Sequence, residues 1–263
     1  MRWTWTTLLL TVTLALCGAL PVGAAASAAP QAEPGADRGA ELWRAGDRDG
    51  AVAVWVEALE VARSKGADPR ERARLAYNLG VAEAARGEPM RAVAWFEAAR
   101  RAAPRFDDAL FNLELARADA GLEPRIGDGL GETLEAAAGT LTRGESEWLA
   151  LLGAALFAAA GLLEALRGGA LARRLVLLAL LAQPVALAPL ALHLADAGTV
   201  PYMVVDPGGT RLRAAPEDGA ERVGSLLAGE VVGYLDELPG WTKVRVDGEA
   251  RWVPSEALFD LRL

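Results

Sequence analysis

The sequence predicts a multidomain α plus β protein: an α-solenoid of helical repeats, then two transmembrane helices, then a small C-terminal β-barrel. Three observations carry this reading. A motif recurs after one solenoid period, two long apolar stretches flank an arginine-only loop, and from about residue 200 the pattern changes to short alternating segments broken by Gly-containing turns. The composition agrees: 52% hydrophobic residues but only 6% aromatics means that the excess is alanine and leucine, gathered in stretches rather than spread through one core.

Residues 1–28 read as an export leader. Arg2 gives the charged start, Leu8 to Leu20 the apolar core, and Gly23-Ala24-Ala25-Ala26-Ser27-Ala28 the small-residue cleavage region, with cleavage expected after Ala24 or Ala28. Cys17 is the only cysteine, and Leu16 precedes it where a lipoprotein signal places Gly or Ala. Once the leader is removed no thiol remains, which excludes disulfides, thiol catalysis and Cys-ligated zinc. The formal net charge of −8 argues against nucleic acid as a partner, because a phosphate backbone demands a basic face.

The helical repeats are expected over residues 36–120. Tyr77-Asn78-Leu79-Gly80 returns as Phe111-Asn112-Leu113-Glu114 after 34 residues, the period of a two-helix solenoid repeat. Gly87 falls at the inter-helix turn, small Gly80, Ala92 and Ala99 let helices approach, Phe96 fills the space between them, and Pro104 stops the second helix. An earlier copy holds Gly46-Asp47, Ala51, Trp55 and Ala58, 41 residues before Gly87-Glu88, Ala92, Phe96 and Ala99. The extra length fits the stretch Ser64 to Pro69, and the helix from Asp107 to about Ala120 closes the array, giving about two and a half repeats. These residues resemble tetratricopeptide repeats, and the resemblance implies a peptide groove lined by the first helix of each repeat. It nominates Trp43, Arg44, Tyr77, Asn78, Phe111 and Asn112. Tyr77 and Phe111 serve equally well as ordinary packing, whereas a pair of asparagines at repeat spacing suits a peptide backbone.

Residues 121–147 read as a linker. The run Gly127-Asp128-Gly129-Leu130-Gly131 follows no strand and is not a phosphate-cradling loop. Two transmembrane helices follow, 148–166 with Glu164 as its only charge and 175–195 with Gln183 and His193 as its polar residues. Each is about 20 residues long, enough to cross a bilayer. The loop 167–174 carries Arg167, Arg173 and Arg174 without an acidic residue, which places it in the cytoplasm. With an exporting leader and an even number of spans, the protein is expected in the bacterial inner membrane with both soluble modules in the periplasm. Pro184 and Pro189 are expected to kink the second span.

The last module is expected over residues 200–263. Thr210-Arg211-Leu212-Arg213-Ala214-Ala215-Pro216, Leu227-Ala228-Gly229-Glu230-Val231, Gly240-Trp241-Thr242-Lys243-Val244, Asp247-Gly248 and Trp252-Val253-Pro254 together resemble bacterial SH3 domains. Arg251 stands where those domains usually carry glycine. Asp247-Gly248 is a hairpin turn between Val244-Arg245-Val246 and Arg251-Trp252-Val253. Tyr234, Trp241 and Trp252 are the candidate residues for binding a protein or cell-wall peptide. A barrel this small needs a large residue inside, so at least one tryptophan is expected in the core, Trp252 ahead of Trp241.

The order of leader, repeats ending in Asn112-Leu113-Glu114-Leu115-Ala116-Arg117, two spans and SH3-like module resembles the BatE-like family, the tetratricopeptide proteins of the Bacteroides aerotolerance operon. The resemblance covers nearly the whole chain after the leader. It implies an accessory protein working beside von Willebrand factor A-domain membrane proteins and a MoxR-type AAA ATPase in oxidative-stress tolerance. The function expected is a membrane-anchored protein-binding scaffold of an envelope complex; the alternative is an anchor or sensor that binds peptidoglycan peptide through the SH3-like module. No catalytic residue, metal site or cofactor is expected. His193 is the sole histidine, and the paired carboxylates Asp107-Asp108 and Asp236-Glu237 sit at helix starts or turns, where acidic residues are common.

Overall fold

The computed structural model describes residues 34–123, 139–196 and 199–263. The expected leader and most of the linker, including the Gly127–Gly131 run, lie outside the described residues. Two compact units result, one combining the N-terminal helices with the C-terminal sheet, the other holding the long apolar helices.

In the first unit five helices follow one another: α1 Pro34–Arg44, α2 Arg48–Lys65, α3 Pro69–Ala85, α4 Pro89–Ala102 and α5 Asp107–Asp119. Each packs on the next in sequence. Their ends are set by local chemistry. The Asp47 side chain accepts from the Gly50 amide at the start of α2, and Asp68 followed by Pro69 starts α3. A recurring close approach holds the pairs together. A Cβ added at Gly80 would lie 2.7 Å from the Phe96 ring, and one at Gly39 would collide with the Trp55 ring. The two glycines, like the two rings, are 41 residues apart, so the same device joins α1 to α2 and α3 to α4. Ala92, Ala99 and Phe96 are buried as the sequence pattern requires.

The sheet has seven antiparallel strands in the order β3-β2-β6-β5-β4-β1-β7. They are β1 Val200–Val204, β2 Thr210–Arg213, β3 Arg222–Leu226, β4 Val231–Leu238, β5 Trp241–Val246, β6 Glu249–Pro254 and β7 Leu258–Asp260. Asp247 and Gly248 both adopt positive φ, 51° and 82°, the condition for the tight hairpin turn expected there. The core under the sheet is Val204, Leu212, Leu226, Val232, Val244, Val253 and Ala257. This corrects the expectation for the tryptophans: Trp241 and Trp252 are both only half-buried and neither belongs to that core. The reason is strand alternation, which turns Val244 and Val253 inward and therefore Lys243 and Trp252 outward. A second core joins sheet and helices, with Met203 and Leu261 buried among Met90, Val93, Phe96 and Leu113.

The second unit contains α6 Arg143–Arg167 and α7 Ala170–Asp196, both long and apolar enough to cross a membrane. They exceed the expected spans of 148–166 and 175–195 because helix ends are set by caps, not by hydropathy. Thr142 and Glu145 form a reciprocal capping box that starts α6 before its apolar stretch begins. The expected loop 167–174 shrinks to Gly168 and Gly169, both at positive φ. Most of the apolar surface is open, with Leu152, Leu156, Leu181 and Val185 each more than half exposed, unlike helices wrapped inside a soluble core. Between the helices, Gln183 donates to the Gly153 carbonyl at 2.9 Å, and a Cβ on Gly153 would approach the Ala186 methyl to 2.9 Å. His193 Nε2 lies 3.0 Å from the Leu141 carbonyl.

Candidate functional site

Strand alternation builds an open aromatic face on the sheet. On β5, Thr242 and Val244 are buried, so Trp241, Lys243 and Arg245 point the other way. Lys243 pairs with Trp252 on β6, and Trp252 pairs with Arg213 on β2, which brings all of these side chains to one side. Two cations lie over the two rings: the Arg213 guanidinium is 5.8 Å from the Trp241 centroid and the Lys243 ammonium 5.4 Å from that of Trp252. Arg213 is held in place by donating to the carbonyls of Asp218 and Ala220. The result is an aromatic surface rimmed by positive charge on a chain whose net charge is −8. Such a face suits a ligand that offers both flat apolar surface and carboxylate oxygens.

Tyr234 is not part of this face. It pairs with the buried Val244, which places it on the opposite side of the sheet, and its ring stacks on Tyr202 with centroids 5.3 Å apart. Burial pushes the Tyr202 hydroxyl above its ordinary pKa, and Asp260 adds to the effect. Arg251 also pairs with Val244, so the residue standing where SH3 domains usually have glycine lies away from the tryptophans. Its side chain instead engages Glu249.

The six residues nominated on the helices have different surroundings. Trp43 packs on Trp55 with centroids 5.8 Å apart, with Arg48 stacked over its ring, while Arg44 is exposed at the end of α1. Tyr77 sits between Phe96 and Phe106, at 5.7 and 5.2 Å. Its hydroxyl has a raised pKa, chiefly from burial and next from Asp108, opposed by the hydrogen bond from Asn112. The Asn112 amide donates to the Tyr77 hydroxyl and to the Asp108 carbonyl, the latter at 2.8 Å. Asn78 is half-buried beside Tyr77, and Phe111 is 72% exposed.

The helices do hold an extended segment, on residues the sequence pattern did not mark. Phe259 meets Trp95 edge to face with centroids 4.8 Å apart. Arg63, in the last turn of α2, donates to the Arg262 carbonyl at 2.6 Å, and Arg72, in the first turn of α3, donates to the Leu263 main-chain oxygen. The only available hint was the alternation Phe259, Leu261, Leu263 continuing past the Trp252-Val253-Pro254 motif.

Residues 208–258 match the bacterial SH3 domain family. No curated protein and no solved structure matches the chain. The matched segment includes the tryptophan face, and a bacterial SH3 domain suggests protein or peptidoglycan binding; β1 and the segment 259–263 lie outside the match. Among the described residues, no group of three or more His, Cys, Asp or Glu side chains is arranged to hold a metal ion.

Proposed function

We propose that the protein is a membrane-anchored scaffold of the bacterial envelope that works by binding rather than catalysis, its SH3 face holding a carboxylate-bearing peptide of a partner protein. The observation that carries this is the Trp241–Trp252 face with Arg213 and Lys243 over the rings. The helices α1–α5 are read as tetratricopeptide repeats on the repeated Gly39–Trp55 and Gly80–Phe96 contacts, and α6 and α7 as the membrane anchor. With an exporting leader, both soluble modules lie in the periplasm. The order of modules favours the aerotolerance setting, with von Willebrand factor A-domain membrane proteins as partners of the scaffold and a MoxR-type ATPase in the same system.

A second reading rests on the same face, since peptidoglycan stem peptides also offer carboxylates. Two measurements on the full chain in detergent separate these readings. A photoreactive group at Lys243 is expected to capture a defined envelope protein, and Trp241→Ala or Trp252→Ala is expected to lower that capture about tenfold, the effect of losing roughly 1.4 kcal/mol. Co-sedimentation with insoluble murein that both alanine variants abolish would instead establish the cell-wall reading. Binding of either kind that ignores both tryptophans would remove the face from the function.

A further inference from the structure

The segment after β6 is built as a ligand of the helices. Along Leu258–Leu263, Leu258 joins the core beneath the sheet, whereas Phe259, Leu261 and Leu263 pack on the helical clusters. Asp260 and Arg262 pair with each other. This is the alternation of an extended strand laid between two partners. Its main chain is bound on both sides as well. β7 pairs with the sheet edge at β1, the Leu261 amide donates to the Pro201 carbonyl at 3.0 Å, and the carbonyls of Arg262 and Leu263 accept from Arg63 and Arg72. Leu263 reaches three separate helical clusters.

We propose that the face formed by α2, α3 and α4 is a peptide-binding groove occupied in cis by residues 259–263, so that this segment controls access to it. Alternate apolar side chains entering one surface while cations take main-chain oxygens is the way extended peptides are recognised. The contact leaves binding capacity unused: the Nε atoms of Arg63 and Arg72 are buried without a hydrogen-bond partner among the described residues. A buried donor left unpaired is costly. An incoming peptide with more acceptors therefore competes with residues 259–263 for this face, while the strands β2 to β6 keep their own core of Leu212, Leu226, Val232, Val244 and Val253.

The test uses the full chain in detergent and a fluorescently labelled peptide of residues Leu258–Leu263. The wild-type chain, its groove filled, is expected to bind the peptide weakly. Leu263→Asp is expected to open the groove and tighten binding at least about tenfold, read by anisotropy. Adding Arg72→Ala to that variant is expected to abolish the gain. Circular dichroism checks that the helices persist, and Leu263→Gln, which carries no charge, replaces the aspartate variant if they do not. Equal peptide affinity for wild type and the opened variant, or a gain that survives Arg72→Ala, overturns the proposal.

Discussion

At Gly80 and Gly39 a hydrogen atom is what allows two helices to touch. The Phe96 and Trp55 rings occupy the space that a methyl group would need, and both rings are almost fully buried, so neither can swing aside. Gly80→Ala is therefore expected to destabilise the helical array by about 1–3 kcal/mol, the usual cost of overpacking. Chemical denaturation followed by circular dichroism measures it, and Phe96→Leu in the same chain is expected to recover part of the loss by making room. Tyr77 gives a second residue-scale expectation. Burial and Asp108 raise its folded pKa above the ordinary value of 10.0, so the unfolded chain ionises first as pH climbs. The stabilising contribution of the neutral phenol is complete below pH 10 and is lost as pH rises through the folded pKa. Tyr77→Phe, which cannot ionise, is expected to flatten the fall in stability above pH 10; an unchanged profile would show that Tyr77 does not carry it.

Among the elements, the α6–α7 pair shows what hydropathy reads and what it misses. Two apolar stretches were legible because lipid-compatible surface needs long runs of alanine and leucine, but the helix ends depend on Thr142, Glu145, Gly168 and Gly169, which carry no hydropathy signal. Gln183, an odd polar residue in an apolar stretch, bonds across to Gly153. Gln183→Leu is expected to weaken the hairpin by about 0.6–1.7 kcal/mol, the range for polar contacts between membrane helices. Disulfide trapping between cysteines placed at Gly153 and Ala186 follows it, and trapping unaffected by Gln183→Leu would show that small-residue packing holds the pair alone. In the sheet, the turn at Asp247-Gly248 and the all-β character were legible from local turn chemistry, and the SH3 segment from the resemblance of its motifs to that family. The outward tryptophans were misjudged because residue size was weighed above the period of two that the valines on β5 and β6 already displayed. For the helices, the sequence spacing located the packing of Phe96 against Gly80, and it also marked Asn112, whose amide donates to Tyr77, 35 residues away.

For the whole molecule, the buried cluster joining Met203 and Leu261 to Met90, Val93, Phe96 and Leu113 constrains how the chain can sit in a membrane. The helices α1–α5 and the sheet belong to one compact unit, although α6 and α7 lie between them in the chain. Two segments that share a core must be on one side of a bilayer, so the intervening residues must cross an even number of times. The arginines Arg167, Arg173 and Arg174 flanking Gly168 and Gly169 are expected to set the direction, because a cluster of cations at a tight turn resists translocation. Reporters inserted in frame at Gly139, between Gly168 and Gly169, and at Gly208 in the exposed turn after β1 are expected to read outside, inside and outside. A full-length chain carries each insertion, so that the shared core can form. An inside reading at Gly208 with an outside reading at Gly139 would mean a single crossing. The sheet could then never meet the helices in the cell, Leu261 and Phe259 would have no helical partner, and both the cis-occupied groove and a cell-wall ligand for the Trp241–Trp252 face would be ruled out together.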